Sequence, residues 1–189
     1  MQIFLIMKIN IKTFFLIIVM TFIFGCADED VSDSSNNQIE KISNENDVYT
    51  IENFKNIGFK INKEYDVSEL DAAQGAWFGF WKNNLNKPID YEIRIYPSQQ
   101  LALDKGIVFV EEVIGDNAVL KKSASSWKEG IQDRRSRNNS SMSGSEANSV
   151  RAKYLDYVVY GNAIILCSGL DLSYSTQNCS DLALTLESN

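Results

Sequence analysis

The sequence predicts an α+β domain: a mainly antiparallel sheet of about four to five strands, with two or three helices packed on one face and one disulfide. Three observations carry this expectation. Tyr154 to Tyr160 and Ala163 to Cys167 are β-rich runs split by Gly161-Asn162, a two-residue signal for a tight hairpin turn. Ala102, Gly106, Phe109, Val110 and Val113 recur at helical spacing between Pro97-Ser98 and Gly115. Cys167 and Cys179 form an even pair close in sequence, which in an oxidising compartment points to a disulfide.

Taken in order, Thr50 is placed to cap a short helix from Ile51 to Ile57 that Gly58 stops. Phe59 to Tyr65 alternates as a strand, Asp71 to Gln74 reads as a turn, and Gly75 to Lys82 is an aromatic strand. In the strand Tyr91 to Tyr96, Tyr91, Ile93 and Ile95 face one way and Glu92, Arg94 and Tyr96 the other. Ala118 to Leu120 reads as a brief strand, and Trp127 sits in a segment without a clear pattern. Between about 134 and 150 the chain reads as a mobile polar loop, since Ser136 to Ser149 holds six serines and three asparagines and almost nothing to bury. Ser173 or Ser175 is placed to cap a last helix with Cys179, Leu182 and Leu186 on one side, so the disulfide would staple that helix to the strand ending at Cys167.

The N-terminus reads as an export signal. Lys8 and Lys12 are its only charges, and an almost unbroken apolar run from Thr13 leads to Ile23-Phe24-Gly25-Cys26. The run from Thr13 to Gly25 would rise only about 20 Å as a helix, short of the roughly 30 Å hydrocarbon core of a bilayer. A second Met at position 7 would give the more ordinary start Met-Lys-Ile-Asn. The aliphatic Ile23, small Gly25 and thiol of Cys26 resemble the lipobox of bacterial lipoproteins; Phe24, where a small or hydroxyl residue is commoner, departs from it. That resemblance implies cleavage after residue 25, lipidation of Cys26 and a membrane-anchored, extracytoplasmic place in the cell envelope. The domain plan is then residues 1–25 signal peptide, 26–47 lipidated cysteine and disordered acidic tether, and 48–189 one globular domain. In that part, Tyr91 to Ser98, Trp127 to Gly130 and Tyr160 to Asn162 resemble segments of uncharacterised bacterial lipoproteins, which implies membership and no activity.

Losing Lys8 and Lys12 takes the net charge from −7 to −9, which disfavours nonspecific nucleic-acid binding. The absence of histidine removes Ser-His-Asp and Cys-His mechanisms and the usual zinc enzymes. No catalytic motif, metal set or cofactor fingerprint is present, so no catalytic residue is named and an enzyme is disfavoured.

Two features are candidates for binding. Trp77 and Trp81 share one strand face with Gly79 between them, either as a stacking shelf for a flat ligand or as core. Arg134, Arg135 and Arg137 fall in a locally cationic stretch, either gripping an anionic envelope partner or lying as a solvated face. Glu92, Arg94 and Asp156 are expected together as a salt-bridged cluster on a wet sheet face. The favoured reading is a tethered module that binds a small solute or envelope component; the alternative is a protein that docks on a membrane complex.

Overall fold

The chain divides into Met1–Asn36 and Asn37–Asn189. In a computed structural model the described residues are 38–44, 46–137 and 150–188, all in the second unit. The segment read as an export signal, Cys26 and the acidic stretch 28–33 lie outside them.

Six strands form one sheet: β1 (Ile42–Ser43), β2 (Lys60–Tyr65), β3 (Gly75–Lys82), β4 (Pro88–Ile95), β7 (Tyr154–Tyr160) and β8 (Ala163–Ser168), in spatial order β1-β7-β8-β4-β3-β2. Every pairing is antiparallel except β1 on β7. A separate two-stranded ribbon pairs β5 (Arg135–Arg137) with β6 (Val150–Ala152). Among the described residues no helix is long and apolar enough to cross a membrane.

The hairpin β7–β8 turns at Gly161, which holds a φ of +55° that glycine adopts without penalty. Asn162 then stitches the fold together. Its side chain accepts from the Tyr49 N–H at 2.5 Å and donates to the carbonyls of Tyr49 (3.0 Å) and Tyr96 (2.7 Å). α1 (Ile51–Asn56) starts at Thr50, but the cap works through Asn53, whose side-chain oxygen accepts from both the N–H and the hydroxyl of Thr50.

The helices do not share one face, and this corrects the sequence expectation. α1 and the C-terminal helix α4 (Leu172–Glu187) cover one side, where Phe54, Tyr91, Ile93, Ile165, Leu182 and Leu186 form the main core. The disulfide Cys167–Cys179 joins β8 to α4 within that core. The opposite side is covered by a helix that changes gauge along its length: α2 (Gln99–Leu101), a π turn (Ala102–Gly106) and α3 (Ile107–Glu111). Beyond it runs a strap without regular structure to residue 134. β8 is apolar at every position from Ala163 to Cys167 because it is buried on both sides.

Four other expectations change. Asp171, not Ser173 or Ser175, caps α4 by accepting from the Tyr174 N–H at 3.0 Å. Ala118 to Leu120 forms no strand. The tether does not run free to Asp47, for β1 pairs with β7, Gln99 donates to the Ser43 carbonyl at 2.7 Å, and Lys41 is ion-paired with Asp156. The loop expected from 134 to 150 begins and ends in the β5–β6 ribbon; residues 138–149 are outside the described residues.

Candidate functional site

β4 places Glu92 and Arg94 on the helix-and-strap side of the sheet, cross-strand from Leu166 and Ile164 on one neighbour and from Phe78 and Ala76 on the other. Both side chains are fully buried, so the polar face expected to be wet is dry. The strap brings a third charge. Gly130, with φ of +69°, turns the chain so that the buried Arg134 reaches Glu92.

Glu92 is saturated by the two guanidinium groups. Its Oε1 accepts from Arg94 Nε at 2.8 Å and Arg134 Nη2 at 2.9 Å, and its Oε2 accepts from Arg134 Nε at 2.7 Å. The indole of Trp127 lies against both cations, 4.3 Å from Arg134 and 5.0 Å from Arg94 measured to the guanidinium carbon. Trp127 is itself held by an Nε1–H bond of 3.1 Å to the Asp66 carbonyl and packs edge-on to Tyr65.

Two cations and one anion leave an excess positive charge in a dry interior, where arginine does not escape by losing its proton. Burial alone would raise the Glu92 carboxyl, but the two guanidinium groups outweigh it and hold it below the ordinary value. Burial also depresses Arg94, with only part of that offset by Glu92, whereas for Arg134 the opposing burial is outweighed by Glu92 together with Tyr65 and Tyr154, which hold it above its ordinary value. Arg94 is thus the less compensated cation. Both Nη groups of Arg94, Nη1 of Arg134 and the hydroxyls of Tyr96 and Tyr154 are buried without a hydrogen-bond partner among the described residues. Burial keeps both phenols protonated by raising them above their usual value. The arrangement is rich in donors, and among the described residues none of these five groups has a partner in hydrogen-bond geometry.

Asp156 is not part of the cluster. An extra residue in β7 between Tyr154 and Asp156 shifts the register, so Asp156 pairs with Cys167 and turns to the α4 side. There it accepts from Thr176 Oγ1 at 2.6 Å and pairs with Lys41.

The aromatic shelf is filled by the protein. A Cβ at Gly79 would run into the Phe59 ring and the Lys60 carbonyl, and one at Gly75 would run into the Trp77 indole. Trp81 is buried and donates to the Ile57 carbonyl at 2.9 Å, while Trp77 packs half-buried against the same core. The arginine run is dispersed too. Arg134 points inward, Arg135 is half-buried with Gln132 accepting from its Nη1 at 3.0 Å, and Arg137 pairs with Val150 at the end of the ribbon.

Sequence reasoning missed Trp127 as the ring against both guanidinium groups and Arg134 as a partner of Glu92. One signal was available. The unbroken apolar run of β8 marks a strand buried on both sides, so the neighbouring strand's Glu92 and Arg94 had to be covered as well.

No curated protein and no solved structure matches the chain. A family model does match residues 50–188, the span that holds every described strand but β1, the helices α1 to α4 and the Glu92–Arg94–Arg134 cluster. The chain therefore belongs to DUF6810, a family of unknown function.

Proposed function

We propose that this chain is a lipid-tethered, extracytoplasmic binding module of the bacterial cell envelope. Cys26, freed by cleavage of the signal segment, holds it at the membrane, and a small solute is taken up at the Glu92–Arg94–Arg134 cluster. The observation that carries the binding half is the buried surplus of cationic donors: five unpartnered polar groups around one excess positive charge. The Cys167–Cys179 bond supports the extracytoplasmic half, because such bonds persist in oxidising compartments. No catalytic step is assigned, since the three hydrogen bonds to Glu92 leave it unsuited to take a proton.

Native mass spectrometry of the full chain, extracted in detergent from its own envelope, tests both halves. The expected result is a lipid-sized mass increment that disappears in Cys26→Ser, together with a retained small molecule that disappears in Arg94→Met. An unlipidated chain refutes the tether, and a clean apo mass refutes the binding module.

A second reading, docking on a membrane complex, has its own observation. Leu170, Leu172 and Tyr174 stand 76%, 60% and 53% exposed around the start of α4. Loss of envelope crosslinks in Leu170→Ser/Leu172→Ser would favour it.

A further inference from the structure

We infer that the Arg94 fork and the Tyr96 hydroxyl form a site for a small monocarboxylate, an inference that rests on the binding reading above and names its ligand class. Arg94 spends only Nε on Glu92, so the Nη1/Nη2 edge of a planar guanidinium is left to receive two oxygens side by side. A carboxylate matches that edge in spacing and charge. Tyr96, two residues along the same strand face, sets its hydroxyl against Arg94 outside hydrogen-bond geometry, and its O–H can donate to the same acceptor.

Charge selects among anions. One monoanion brings two cations and Glu92 to neutrality, whereas a dianion would leave a buried negative charge next to a carboxylate. Water would satisfy the donors but leave the charge. The surroundings favour an organic acid over a bare ion, because Ala73, Ala76 and Ala102 lie in the apolar clusters on this face. Gly106, at the end of the π turn, admits the Tyr96 ring: a Cβ there would stand 2.7 Å from its hydroxyl oxygen. π turns recur where a helix makes room for a functional group.

The route in is past Trp127. Its indole lies against both guanidinium groups and also lines a surface cleft of about 260 Å³ with Asp66, Glu69, Lys122, Lys128 and Glu129. Entry by this route requires the Trp127 ring to move. Trp127 lies on the strap, which carries no regular secondary structure.

The test titrates the full chain in detergent with acetate, propionate and butyrate at constant ionic strength, beside sulfate, phosphate and glucose, reading tryptophan emission and thermal midpoint. A saturable response to a monocarboxylate is expected, at least tenfold tighter than to sulfate. Arg94→Lys should weaken it by about tenfold and Tyr96→Phe by several-fold, as expected for losing a bidentate contact and a single donor. Arg94→Met, which leaves the neutral Glu92–Arg134 pair, should fold and not bind. If Arg94→Lys fails to fold, Tyr96→Phe and Arg94→Met carry the comparison. Tighter binding of sulfate, phosphate or glucose overturns the carboxylate assignment and leaves the binding module standing. Carboxylate binding unchanged in the variants puts the ligand elsewhere and overturns the site. No response to any probe overturns the carboxylate site; if the native spectrum also shows only apo chain, the module falls with it.

Discussion

The two faces of β4 are one residue apart in sequence and opposite in chemistry. Tyr91, Ile93 and Ile95 meet α1 and α4 in an apolar core whose polar atoms are paired: the Tyr91 hydroxyl donates to the Asn178 carbonyl at 3.1 Å, and Ser175 donates to the Cys167 carbonyl. Glu92 and Arg94 meet a π turn and a strap around a cluster with unpartnered donors. Equal burial therefore does not mean equal satisfaction. The first face is built for cohesion, whereas the second holds charge that packing alone does not explain.

The comparison breaks most sharply at Glu92. Glu92→Gln leaves two buried guanidinium groups without their anion, and a loss of about 3–5 kcal/mol in unfolding free energy is expected from urea titration. Acid should narrow that gap. The folded state holds the Glu92 carboxyl below its ordinary value, so its contribution is fully present above the unfolded-state value of about 4.3 and fades as pH falls through the depressed folded value. Urea midpoints of wild type and Glu92→Gln should therefore converge below about pH 4, because only the wild type loses a charge.

On the cohesive face, replacing both Cys167 and Cys179 by Ser should cost about 3 kcal/mol, the scale for a loop closed by a bond between residues 12 apart. Mass spectrometry of unreduced peptides checks the bond directly. A smaller effect is expected at Gly79. A Cβ there meets a backbone carbonyl that cannot rotate away, so Gly79→Ala should lower stability by about 1–3 kcal/mol. A matched loss of cooperativity in the melt would show the aromatic edge to be less rigid than its packing implies.

Much of the fold was legible because local rules agreed. β3 spans Gly75–Lys82 as its aromatic run predicts, the Gly161-Asn162 hairpin forms, and Cys167 joins Cys179. The site was legible only in pieces. Alternation put Glu92 and Arg94 on one face, but whether that face was wet depended on the strap, whose sequence has no period to read. A one-residue bulge in β7 then removed Asp156 from the group, and the polar stretch around Arg134 disguised a core residue as a surface one. Such shifts come from pairing across the sheet, which spacing within one strand does not encode.

The β5–β6 ribbon has a practical consequence. Its pairs Arg135–Ala152, Ser136–Arg151 and Arg137–Val150, with the Lys153 N–H donating to the Arg134 carbonyl at 2.8 Å, tie the two chain directions together directly below Arg134. A protease cut or an inserted epitope between 137 and 150 would then fall beyond a closed stem. The domain should tolerate being supplied there as two polypeptides that reassemble, which makes this position the natural split point for building a two-part reporter.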